Sequence, residues 1–227
     1  MNYVLFAALV LASSDPQIAN VTPPQALEGI ADQMQTGTLI VGRGDCLAVK
    51  FYSASSYTHV AAVVMHEGRA LVYDATGGAG VRKQSLGEYL AAQNGHTLHI
   101  FQPRKPFTQK AGTRFERHLE AQLGRPYAIH HHLTGKRALG LHCSEYITDA
   151  LIAAGQLQAR EPPRVSPATL VEGILKAEIY EEAARLRVIC DPPERPDSGS
   201  WCALLWFGTK QCTLGCYLKL RGWFCCK

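Results

Sequence analysis

The chain has 227 residues, 47% of them hydrophobic and 19% charged, with a formal net charge of +4. That composition is globular and excludes a disordered chain, and the length suits one domain of roughly 150–200 residues with appendages. Lys and Arg are scattered, with no basic stripe interleaved with aromatics, so nucleic acid is not an expected partner.

Met1 to Ser14 contains the apolar run Val4–Ala12, too short to span a bilayer as a helix. With Ala12-Ser13-Ser14 after it, the run resembles a secretory signal segment, though no Lys or Arg precedes it. The competing reading is a terminal strand or helix packed on the domain. Export to the periplasm or cell envelope is the expectation, with the cytoplasm as the alternative. Residues 1–20 therefore read as a leader, 21–190 as the domain, and 191–227 as a Pro-rich linker with a Cys- and Trp-rich tail.

After Pro23-Pro24, the residues Ala26, Leu27, Ile30 and Ala31 have helical spacing. Gly37–Val41 reads as a strand, and Cys46–Tyr52 as either helix or strand. Thr58–Met65 has the composition of a buried strand. The turn His66-Glu67-Gly68-Arg69 leads into a second strand, Ala70–Ala75, which makes the pair a hairpin. Ser85, with Glu88 three residues on, predicts a capped helix through Leu90. Thr97–Phe101 is a further strand. Thr113–Leu123 is an amphipathic helix, and Gly124–Gly140 a long loop region holding Tyr127 and His130-His131-His132. A helix starts at Cys143 and runs to about Ala154, and another follows Ser166-Pro167 as far as Leu175. Tyr180–Ile189 mixes helix and strand signals.

The chemistry centres on Cys143. Tyr146, Ile147, Ala150, Leu151 and Ala154 follow it at helical spacing, which places it at a helix N-terminus. Unpaired N–H groups and the helix dipole favour negative charge there, and so favour the thiolate, the form that attacks carbonyls. Taken alone, such a cysteine is more often a small buried hydrophobe. A nucleophile needs a base and a group that orients the base. His59 opens the buried strand, and Asp74 lies on the strand paired with it, within reach across a hairpin. Cys143, His59 and Asp74 are thus the catalytic candidates.

Thr36–Ile40, Tyr57–Ala61, Val72–Ala75, Gly124–Tyr127, His142–Glu145 and Ser166-Pro167 together resemble the YaeF/YiiX family of permuted papain-fold cysteine amidases and peptidases. The family belongs to the NlpC-like superfamily, in the circularly permuted branch where histidine precedes cysteine. The resemblance implies an α+β, circularly permuted papain-like (NlpC-like) fold, with an antiparallel sheet packed on the helix that bears the cysteine. It implies His59 as base and Cys143 as nucleophile. Asp74 stands where the family usually has a glutamate that orients the histidine. The resemblance implies Tyr127 as a substrate-binding residue, but Ala128 follows it where the family often has aspartate. Ser144 and Glu145 match the family and read as local support for the helix start.

The expected activity is thiol hydrolysis of amide bonds, on a peptide or acyl-amide substrate, with cell-wall peptides as the substrate class. The alternatives are a lipid acyltransferase or thioesterase using the same dyad, and a non-catalytic binding module. No cofactor or metal is expected: consecutive histidines seldom converge on one centre, and no Cys-x-x-Cys pair is present. Cys46 reads as core. The tail holds Cys202, Cys212, Cys216, Cys225 and Cys226, with Cys190 before the linker. It reads in three ways: a disulfide-stapled appendage, a membrane-surface or acylated segment, or a poorly ordered one.

Overall fold

The computed structural model describes residues 18–43, 55–137 and 139–189, with the backbone alone at 131 and 133, and residues 201, 205–206, 209–210, 212–214 and 216–217 of the tail. Most of the leader, the stretch around Cys46, and the linker lie outside the described residues.

The described strands are β1 (Ala19–Val21), β2 (Leu39–Arg43), β3 (Tyr57–His66), β4 (Arg69–Thr76), β5 (Gly80–Ser85), β6 (Thr97–Pro103) and β7 (Tyr180–Val188). The helices of the domain are α1 (Pro23–Ile30), α2 (Leu86–Ala91), α3 (Gln109–Glu120), α4 (His130–Thr134), α5 (Cys143–Ala153) and α6 (Pro167–Lys176). The strands form one sheet in the order β1-β7-β6-β2-β3-β4-β5.

Leu39, Ile40 and Val41 of β2 and Val60 to Val63 of β3 are fully buried, and no polar residue alternates among them. Such runs mark strands covered on both faces. One face packs Leu39, Val41, Val60, Ala62 and Tyr73 against Phe115 and Leu119 of α3, Tyr146 and Ile147 of α5, and Leu170 of α6. The other packs Ile40, Ala61, Val63 and Val72 against Ala26 and Ile30 of α1 and Leu86, Tyr89 and Leu90 of α2. The result is an α+β domain with helices on both sides of its sheet.

The expectation of an antiparallel sheet is corrected at one edge. β1 runs parallel to β7, with Ala19 opposite Leu186 and Val21 opposite Val188, so the sheet is mixed. A parallel pair needs a long crossover between its strands, and here nearly the whole domain supplies it. β1 also takes in Ala19 and Asn20, the last residues of the segment read as leader. The helix expected over Thr113–Leu123 begins earlier, at Gln109, where the Thr108 hydroxyl accepts the Ala111 N–H at 3.2 Å. It ends at Glu120, before a turn. Ser85 and Glu88 form the expected capping box of α2.

Two glycines dock the loop that leads to Cys143. Gly80, with φ at +69°, would place a Cβ 2.4 Å from the Arg125 carbonyl oxygen. That oxygen accepts the Val81 N–H at 2.9 Å, and Gly124 N–H donates to the Val81 oxygen at 2.9 Å. Gly140 would place a Cβ 2.5 Å from Ala128 Cβ and 2.7 Å from the Pro126 oxygen. There Leu141 N–H donates to Pro126 O at 3.0 Å and Ala128 N–H to Leu141 O at 3.2 Å. Backbone lies against backbone at both places, which only glycine permits. Gly140→Ala should therefore cost about 1–3 kcal/mol by overpacking, read from denaturant unfolding. Gly173→Ala, where an added Cβ meets nothing within 4 Å, is the control, and an equal loss there would refute the account.

Candidate active site

His59 is the third residue of β3, beside a bulge. Val41 pairs with Val60 and Gly42 with His59, but Arg43 pairs with Tyr57, so Thr58 is the extra residue. A bulge bends its strand and re-aims the neighbouring side chains. On β4, Asp74 shares the face of Val72, and His59 shares the face of Ala61 and Val63. Continuing the register of Ala62 with Tyr73 makes His59 and Asp74 diagonal neighbours rather than directly opposed residues.

His59 Nε2 lies 3.3 Å from Asp74 Oδ2, a long polar contact between the two side chains. Asp74 is 1% exposed. It is held from its other side by Arg82, its cross-strand partner on β5, with Nε at 2.8 Å from Oδ1 and Nη2 at 3.3 Å from Oδ2. Burial alone would raise the Asp74 carboxyl. The contacts with His59 and Arg82 outweigh burial and hold it below the usual carboxylate range. A carboxylate thus stays charged in the interior and faces the imidazole.

Cys143 is the first residue of α5, is 3% exposed and carries a free thiol. Two imidazoles act on it. Burial raises a thiol, but the polar contacts with His142 and His59 and their charges bring Cys143 down to about 6. Burial likewise lowers an imidazole, yet Asp74 and then Cys143 bring His59 up to about 10. Both shifts run in the direction that favours a thiolate beside an imidazolium. Nε2 of His59 faces Asp74, which leaves Nδ1 for the thiol proton.

His142 caps α5, its Nδ1 accepting the Glu145 N–H at 3.3 Å. Its Nε2 is 2.8 Å from the Pro163 carbonyl oxygen, so Nε2 carries a proton, and burial, which would lower the ring, is outweighed by contacts with Cys143, Pro163 and Glu145 that raise it. Ser144 Oγ donates to Val165 O at 2.7 Å. Both bonds fasten the helix start to the segment ahead of α6. Glu145, fully buried, has carboxylate oxygens 3.8 Å from His142 Nε2 and from Arg137 Nη1. Arg137 in turn bonds Asp149 at 2.6 and 2.7 Å. Ser144 and Glu145 therefore anchor the helix, as expected of them.

Cys143, His59 and Asp74 are thus brought together. Tyr127 is half-buried and bridges in parallel to Leu141, two residues before the thiol. Burial and the Cys143 charge raise its phenol, so it remains a neutral O–H. In the histidine run, His132 meets the His142 ring edge-on at 5.8 Å between centroids. Sequence reasoning did not assign Arg82 or His142. The Arg82 signal was the β4–β5 register; the His142 signal was its place immediately before a predicted helix. Among the described residues, no group of three or more His, Cys, Asp and Glu is arranged to hold a metal ion, and Cys212 and Cys216 are unpaired.

Fold and site together define an α+β protein with a buried cysteine–histidine–aspartate constellation at a helix N-terminus. No family model matches the chain. No curated protein matches it. Among solved structures it is similar to the crystal structure of metalloprotein yiiX from Escherichia coli O157:H7, described as DUF1105, with a TM-score of 0.46 and 19% sequence identity over 69% of this chain and 89% of that one.

The depressed thiol and raised imidazole have a measurable signature. Alkylation of Cys143, followed on its own peptide by mass spectrometry, should rise as pH rises through about 6. An ordinary thiol rises near 8.5. His59→Ala should move that rise upward. The same contacts set stability: the Cys143 contribution is lost as pH falls through about 6, and the His59 contribution as pH rises through about 10. A wild-type midpoint at the ordinary thiol value would refute the ion pair. His142→Ala should cost about 1 kcal/mol through the lost cap, and His142→Asn should restore most of that in thermal unfolding.

Proposed function

We propose that the protein is a thiol hydrolase of amide bonds, a cysteine peptidase or amidase with the circularly permuted papain-like fold of the NlpC-like superfamily. One observation carries the reading. The thiol of Cys143 begins a helix and interacts with the imidazole of His59, which is 12% exposed and itself 3.3 Å from a buried carboxylate. The order of the chain, with strands bearing His59 and Asp74 ahead of the helix bearing Cys143, supports the permuted arrangement.

The chemistry follows from the parts. His59 holds the Cys143 proton. The thiolate attacks the amide carbonyl carbon, forming a C–S bond and a tetrahedral oxyanion. The backbone N–H of Cys143, at a position with no helical acceptor, donates to that oxyanion. As the C–N bond breaks, His59 gives its proton to the leaving nitrogen. His59 then takes a proton from water, whose oxygen attacks the thioester, and the acid and the thiol are released. Asp74, fixed by Arg82, keeps Nδ1 of His59 turned to the sulfur throughout. With the thiol only 3% exposed, the carbonyl reaches it when surrounding chain moves aside.

Cell-wall peptides are the substrate class we propose, with the cell envelope as the location. The test is release of new amino groups from purified cell-wall peptides. Wild-type protein should release them, and Cys143→Ala should not. His59→Ala should lose about 10²–10⁴-fold in kcat/KM. Release by Cys143→Ala at the wild-type rate would sink the proposal. Turnover of acyl thioesters or lipids, with none of amides, would assign the dyad to acyl transfer instead.

A further inference from the structure

None of the described residues of the C-terminal segment enters the contacts of the cysteine site. All three tryptophans of the protein, Trp201, Trp206 and Trp223, lie in it. No Asp or Glu follows Asp197, whereas Lys210, Lys219, Arg221 and Lys227 do. Its described residues are helical. Trp206, Thr209, Lys210, Thr213, Leu214 and Tyr217 stand at steps of three and four and so share one exposed helix face. Trp206 is 71% exposed and Tyr217 58%, so large aromatic surface stands in water.

Charge decides what covers this face. The sequence after Asp197 carries cations and no Asp or Glu, so a second copy of the segment would bring like charge to like, which is costly across an interface. A lipid surface of negative charge offers the complement. Trp and Tyr rings settle at the boundary between headgroups and acyl chains, and lysines extend from an apolar face to reach the phosphates. We propose that the helical face bearing Trp206, Lys210, Leu214 and Tyr217 lies flat on an anionic lipid surface, with Trp206, Leu214 and Tyr217 in the headgroup boundary and Lys210 reaching the phosphates.

Because every tryptophan is in this segment, intrinsic tryptophan fluorescence of the full-length, reduced protein reads it alone. The probe is phosphatidylcholine vesicles with about one-third phosphatidylglycerol. The emission should shift to the blue, and the protein should sediment with these vesicles at least about ten-fold more tightly than with pure phosphatidylcholine. Salt at about 1 M should reverse the binding, since it shortens the reach of surface charge to about 3 Å. Replacing the exposed residues with Trp206→Glu and Tyr217→Glu should abolish binding with the far-ultraviolet circular dichroism unchanged. Absence of a shift and of sedimentation with anionic vesicles would overturn the proposal. So would equal binding to both vesicle types. A blue shift without lipid, accompanied by a dimer mass, would give the face to a second copy and overturn it as well.

Discussion

The start of α5 is a buried helix end, and a buried helix end must find partners for its unpaired N–H groups or lose stability. Much of the domain is arranged around that requirement. His142 accepts one N–H, and its far nitrogen reaches Pro163. Ser144 ties the same turn to Val165. The preceding loop is pressed onto β5 at Gly80 and onto itself at Gly140. Loosening any of these would let the first turn of α5 drift, and the thiol would drift with it. The polar anchoring of the helix and the placement of the sulfur are one constraint, because Cys143 is the first residue of the turn being anchored.

Charge in the site is handled by enclosure. Four ionisable groups, Asp74, Arg82, His59 and Cys143, form a row from β5 through β4 and β3 to α5. Arg82 is about one-third exposed, so the row opens to water at its cationic end, and Asp74 is sealed. The burial of Asp74 is outweighed by His59 first and Arg82 second, which hold its carboxyl low. Arg82 thus shares with His59 the task of keeping a charge in a sealed place. His142 approaches from the helix side, tied to a carbonyl and close to the buried Glu145.

The central part of the fold was legible because its signals are local and agree with one another. Val60 to Val64 is an unbroken apolar run, His66 to Arg69 is a turn, and Ser85 with Glu88 is a capping pair. Cys143, His59 and Asp74 could be read for the same reason, since each stands at a recognisable end of a strand or helix. What was missed depends on tertiary pairing. β1 is Ala-Asn-Val, three residues with no period, and it is a strand only because β7 lies beside it. β7 begins Tyr-Glu-Glu-Ala-Ala, a helical preference that its antiparallel pairing with β6 overrides. The first turn of α3, Gln-Lys-Ala-Gly, has no apolar stripe, and only the Thr108 cap marks its start. Arg82 needed a register that no propensity supplies.

Cys143 stands 84 residues after His59 in the chain, and the loop that delivers it is held by backbone contacts that exist only in the finished fold. A chain that has not folded therefore carries an ordinary thiol. The imidazoles of His59 and His142 come to the sulfur only once the start of the loop has met β5 at Val81 and its end has met Pro126. The electrostatic surroundings of the sulfur are in this sense a report on the integrity of the whole domain.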